Sequence, residues 1–118
     1  MTSIPPSPIK ILVVDDEPGL REVLSITFRR QGYEVATAPC VRAGVESIRQ
    51  HPTPFPLVLT DLVMPDGSGM DVLAAAKERD ASTEVIIMTA HSTVESAIEA
   101  MRGGAYDFVT CLLYTSPS

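Results

Sequence analysis

The chain is short of cysteine, of basic charge and of long apolar runs, and each shortage removes a class of function. Cys40 and Cys111 have neither the spacing of a metal site nor the density of a disulfide-stapled secreted scaffold, so both read as incidental. A reducing, cytoplasmic location suits such a chain. Against 15 acidic residues there are 9 basic ones, giving a formal charge of -6. No Lys/Arg stripe is left to follow a phosphate backbone, so direct nucleic acid binding is not expected. No stretch approaches the length of a membrane span, and MTSIPPSPIK has no long apolar core behind a basic start. No membrane attachment and no export are expected. Internal repeats are lacking too, and 118 residues accommodate one domain with one core. Pro5, Pro6 and Pro8 mark residues 1–8 as a flexible lead-in.

What the chain does have is an alternation of short apolar runs with longer amphipathic segments, the pattern of βα units around a parallel sheet buried on both faces. The first strand is expected over Ile9 to Val14. Pro18 then opens a helix carrying Leu20, Val23, Leu24, Thr27 and Phe28 at helical spacing until Gly32 stops it. A second strand, Glu34 to Ala38, precedes a helix with Val41, Val45 and Ile48 on one face. The third strand is Leu57 to Thr60. After a turn built on MPDGSG, a third helix is expected to direct Met70, Leu73, Ala74 and Ala76 inward. The fourth strand is Glu84 to Met88. STVE, from Ser92 to Glu95, reads as a capping box for a fourth helix, with an apolar stripe of Val94, Ala97, Ile98 and Met101. Gly103 and Gly104 end it, and Tyr106 to Val109 is the fifth strand. Right-handed βαβ connections then make the sheet doubly wound, with the last strand left without its helix.

In an open parallel sheet the carboxyl ends of neighbouring strands share one crevice. Asp15 and Asp16 come directly after the first strand, Asp61 after the third, and Thr89 ends the fourth. Each alone reads as well as a cap, a turn residue or a strand-end hydroxyl. Together they point to a magnesium and phosphoryl site at that edge.

VVDDEP, VLTDLVMPDGSG, IIMTAHSTVESAIEAM and GGAYDFVT, in order from Ile9 to Thr110, resemble the successive motifs of the receiver domain of bacterial two-component response regulators. The resemblance implies a flavodoxin-like α/β fold, a doubly wound parallel five-stranded sheet of order 2-1-3-4-5. It implies that Asp61 is the phosphoacceptor, fed by a sensor histidine kinase. Asp16 is then the direct Mg2+ ligand, Asp15 assists through water, and the backbone carbonyl of Val63 completes the protein's share. Thr89 hydrogen-bonds the phosphoryl group and Phe108 is the switch aromatic. Such a domain is a phosphorylation switch rather than a metabolic enzyme, catalysing only its own phosphotransfer and dephosphorylation. HSTVESAIEAMRGGAYDFVT looks most like receivers of the nitrogen-regulation class, which precede a sigma-54 activator module. That likeness implies transcriptional output, effector domains beyond this chain and dimerisation through the fourth helix and fifth strand.

The pattern breaks at Cys111, where the family has a lysine that reaches the phosphoryl group. A thiol supplies no fixed positive charge, which weakens phosphate stabilisation. From there CLLYTSPS resembles no receiver. Read back into codons it matches a transposase adapter used in sequencing libraries, so the expected division is 1–8 lead-in, 9–110 receiver domain and 111–118 non-native tail, the final helix missing. Without that helix, an apolar area beside the first helix is expected to be exposed. Two competing functions stand beside the receiver: a phosphate-independent degenerate receiver, if Cys111 is native, and an aspartyl-nucleophile phosphatase. The phosphatase needs a second acid two residues after its nucleophile, where this chain has Val63.

Overall fold

The computed structural model describes residues 9–89 and 94–110. The lead-in at 1–8, the start of the STVE capping box and everything from Cys111 onward lie outside the described residues. The element order is β1 (Lys10–Val14), α1 (Pro18–Arg30), β2 (Glu34–Ala38), α2 (Val41–Gln50), β3 (Leu57–Asp61), β4 (Val63–Met64), β5 (Gly67–Ser68), α3 (Gly69–Arg79), β6 (Glu84–Thr89), α4 (Val94–Arg102) and β7 (Asp107–Thr110). The main sheet is fully parallel with order β2-β1-β3-β6-β7. With β6 and β7 as the fourth and fifth expected strands, this is the doubly wound order that the resemblance implies. The expected MPDGSG turn is a small antiparallel hairpin, β4 against β5. Among the described residues no helix comes after β7.

The period-two alternation of β1 divides its side chains between two cores. Leu12 and Val14 join Val58, Val85 and Ile87 beneath α2, α3 and α4, which contribute Ile48, Leu73 and Ala100. Ile11 and Val13 face the other way with Val35, Leu59 and Met88, where Leu24 and Phe28 of α1 pack against them. Each fully buried Leu or Ile of this kind contributes about 1.5–3 kcal/mol of apolar transfer.

Three side-chain expectations differ from the structure. In α3 Ala74 is exposed, while Val72, Leu73, Ala75 and Ala76 are buried. The phase is set by Ser68, whose hydroxyl caps the helix in a capping box with Asp71 and starts the inward face at Gly69. In α1 the inward side is Leu20, Leu24, Ser25 and Phe28, while Val23, at 52% exposure, and Thr27 face solvent, because one helix lying on a sheet face buries only a narrow stripe. Among the described side chains of α4, Ala100 is buried, Ala97 partly so, and Ile98 and Met101 are half exposed. On the sheet face that carries α1, Ile11, Val13 and Met88 are buried and Val109 of β7 is exposed, while Val23 and Ile26 of α1 itself are exposed.

Two polar ties hold the site-bearing layer. The Arg79 guanidinium donates to the carbonyls of Ile48, Arg49, His51 and Pro52, closing the C-terminal end of α2 with a cation at its negative pole. At the other end, the Asp66 carboxylate accepts from the amides of Val41 and Arg42, both at 3.0 Å. Those amide bonds hold Asp66 below the usual carboxylate range. The β4–β5 turn is thereby fastened to the start of α2.

Candidate functional site

β1 and β3 are neighbours in register, Val14 opposite Thr60, so their carboxyl ends open at the same sheet edge. Asp15 and Asp16 leave β1 there, and Asp61 is the last residue of β3. One carboxylate oxygen from each of Asp15, Asp16 and Asp61 lies within 4.8 Å of the others. Asp15 and Asp61 are buried, whereas Asp16 is exposed.

Backbone contacts fix this cluster. The Asp15 amide donates to the Ala38 carbonyl at 3.1 Å, its Oδ1 accepts from the Glu17 amide at 2.8 Å, and its carbonyl accepts from Arg21 Nη1 at 2.6 Å. Asp61 Oδ1 accepts from the Leu62 amide at 2.7 Å, and the Asp61 carbonyl accepts from the Thr60 hydroxyl at 3.0 Å.

Burial pushes the Asp61 carboxyl up from 3.8 to about 6, and the charges of Asp15 and then Asp16 act in the same direction. The amides of Leu62 and Val63 pull it down but do not win. Three converging carboxylate oxygens suit a hard divalent cation such as Mg2+, which prefers oxygen ligands and keeps several waters.

Thr89 ends β6 one residue beyond Met88, the register partner of Asp61, and is buried at the same edge. Val63 opens β4 with its side chain 60% exposed and its amide directed at the Asp61 carboxylate. Phe108 lies in β7, the last strand among the described residues, partly buried against the larger core. Cys111, the position of the family's lysine, lies outside the described residues.

Beside Asp16 an open cleft of about 480 Å³ is lined by Pro39, Cys40, Arg42, Pro65 and Asp66. Cys40, read from sequence as incidental, caps α2: its Sγ accepts from the Ala43 amide. Sequence reasoning also missed Arg21, Asp66 and Gly69. Arg21 carried a faint signal, since a cation near the start of a helix runs against the macrodipole. Asp66 carried none, because its partners stand far away in sequence. Gly69 was legible only as part of a turn.

Comparison with known proteins agrees with this geometry. The family model described as the response regulator receiver domain matches residues 11–111. The response regulator protein PilR of Pseudomonas aeruginosa is 41% identical over 101 residues, which are 86% of this chain and 22% of PilR. The chain thus spans about a fifth of that relative's length. Among solved structures, the beryllofluoride-activated NtrC4 receiver domain dimer superposes with a TM-score of 0.78 at 33% identity, covering 92% of this chain and 85% of the other. The response regulator TrrA of Thermotoga maritima in complex with Mg(2+)-BeF does so with a TM-score of 0.75 at 30% identity, covering 86% and 85%. No helix among the described residues is long and apolar enough to cross a membrane. By fold, by the acids at its sheet edge and by this family match, the chain belongs to the response regulator receiver domains.

Proposed function

We propose that Asp61 accepts a phosphoryl group from a phosphohistidine of a sensor histidine kinase and that the domain thereby switches an effector outside this chain. The observation that carries this reading is the convergence of Asp15, Asp16 and Asp61, with Asp61 buried and its carboxyl raised to about 6. An Asp61 oxygen forms a bond to phosphorus as the P–N bond breaks. The electron pair stays on the imidazole nitrogen, which takes up a proton, and an acyl phosphate remains on Asp61. Water attack on phosphorus later returns the carboxylate and inorganic phosphate. Asp16, Asp61 and the Val63 carbonyl would hold Mg2+, with Asp15 assisting through water. When bound, the ion supplies charge neutralisation at the transferring phosphoryl oxygens.

Thr89 donates its hydroxyl to the phosphoryl group. Phe108 then turns into the space released, a population shift driven by contacts that exist only in the phosphorylated state. The surface so altered is that of α4 and the segment entering β7, where Ile98, Met101 and Tyr106 are exposed. That face suits dimerisation or an effector, and transcriptional output of the sigma-54 activator class is the reading favoured by the likeness to PilR. A cytoplasmic location accompanies it. Residues 9–110 form the receiver in this reading and 111–118 are foreign to it. Source DNA that continues natively through codons 111–118 would remove the foreign tail.

The test is incubation with a small phosphodonor and Mg2+. The expected product is one equivalent of Mg2+-dependent, hydroxylamine-labile label on Asp61. Absence of label with a folded chain overturns this reading in favour of a phosphate-independent module. Multiple turnover of phosphomonoesters overturns it in favour of a phosphatase.

A further inference from the structure

The loop that carries two of the three acids is held from α1 by one cation. Arg21, half-buried on the first turns of α1, reaches back six residues to the Asp15 carbonyl at 2.6 Å. Its own amide is anchored to the Glu17 carbonyl at 3.1 Å, and the Glu17 amide in turn donates to Asp15 Oδ1 at 2.8 Å. The Asp15 amide is already bound to Ala38 of β2. The Asp15 backbone is therefore fixed at both its polar groups, and the carbonyl's partner is a side chain.

That carbonyl belongs to the peptide joining Asp15 to Asp16, so its plane sets the direction in which Asp16 leaves the strand end. Asp16 is exposed, and no hydrogen bond from a described residue reaches its carboxylate. Its aim at the cluster is set by backbone alone.

We propose that Arg21 is a positioning residue for the divalent cation: by holding the Asp15–Asp16 peptide it presents Asp16 to the ion in a ready geometry. This rests on the reading that the three acids hold Mg2+. Groups that orient metal ligands from behind typically change affinity by about 10–100-fold when removed. One donor bond is made here, so the bidentate fork that distinguishes arginine from lysine is not required.

The experiment is calorimetric titration of the metal-free chain with Mg2+, comparing the unaltered protein with Arg21→Met, which keeps the apolar stem, and Arg21→Lys, which keeps a cationic donor. Arg21→Met is expected to raise the Mg2+ Kd about tenfold while labelling of Asp61 at saturating Mg2+ keeps its rate. Arg21→Lys is expected to bring the Kd back to within about threefold of the unaltered value. An unchanged Kd in Arg21→Met overturns the proposal, as does a slower saturated rate with unchanged affinity, or failure of Arg21→Lys to restore binding. If the unaltered chain binds no Mg2+, the metal reading itself falls and the proposal with it.

Discussion

Asp61→Asn is expected to lose the phosphoryl label completely and, without divalent cation at pH 7, to melt at a higher temperature than the unaltered chain. The label is lost because an amide oxygen is not a nucleophile toward phosphorus. The gain in stability comes from the three-acid cluster. Burial and the charges of Asp15 and Asp16 lift the Asp61 carboxyl from 3.8 to about 6, so folding at neutral pH forces a charge into a place that disfavours it.

The sign is that of a raised carboxyl. Its contribution to stability is fully present below the unfolded value of 3.8 and is lost as pH rises through about 6. The shift alone corresponds to about 3 kcal/mol, and solvent at the open sheet edge reduces that to about 1–2 kcal/mol. For a domain of this size that is about 5–10 °C in melting temperature. Asparagine removes the repulsion while still accepting from the Leu62 amide. The advantage of the variant should be full above pH about 7 and vanish below about 4. Mg2+ should narrow it, because at tenfold its Kd the ion stabilises the unaltered chain by about 1.4 kcal/mol. That effect weakens below pH about 6 as protons compete for the same oxygens. Thermal melts from pH 4 to 8, with and without Mg2+, measure all of this. Equal melting of the two proteins at every pH would sink the electrostatic account, and label retained in Asp61→Asn would move the acceptor elsewhere.

Gly69→Ala is expected to be the most destabilising glycine-to-alanine change among the described residues. A Cβ at Gly69 would overlap the Asp61 carbonyl oxygen, and it would stand 3.0 Å from the Asp61 carbonyl carbon and 3.1 Å from Leu62 Cα. All three are backbone atoms, so no side chain can swing aside. The Gly69 amide also donates to the Leu62 carbonyl at 2.7 Å, which fastens the start of α3 to the peptide that follows Asp61. Relief requires α3 and the end of β3 to part, at a cost of about 3 kcal/mol, and that corresponds to about 10–20 °C in melting temperature. Gly32→Ala separates steric from conformational effects. Gly32 has φ +94 and open space around it, so its substitution costs only the left-handed penalty of about 1–2 kcal/mol. Circular dichroism melts of both variants decide the matter. A Gly69→Ala protein that melts no lower than Gly32→Ala would refute the crowding argument.

Asp15, Asp16 and Asp61 could be read as a converging set because strand ends in a parallel sheet share an edge, and because apolar runs place those ends within a residue or two. Thr89 was legible for the same reason. On the inward face of α3, Met70, Leu73 and Ala76 were legible but Ala74 was not, since Met70, Val72, Leu73, Ala74 and Ala76 supply apolar candidates all round the helix. Only the Ser68 cap sets the phase that exposes Ala74. Nor were Arg79 and Asp66 legible as the two ends of α2's support. Their partners lie 24 to 31 residues away, a separation no local pattern encodes.

By itself the sequence determined the alternation of strand and helix and which acids sit at strand ends, because both are local: apolar periodicity selects the element, and chain connectivity fixes the residue at its end. Its motifs, set beside a known family, supplied the strand order as well. Only the tertiary structure decided how close the acids come and that Asp61 is lifted to about 6 by burial and Asp15. It alone placed Gly69 against the Asp61 backbone and tied Arg21 to the Asp15 carbonyl. Distance, desolvation and steric contact belong to pairs of segments brought together, and no single segment carries them.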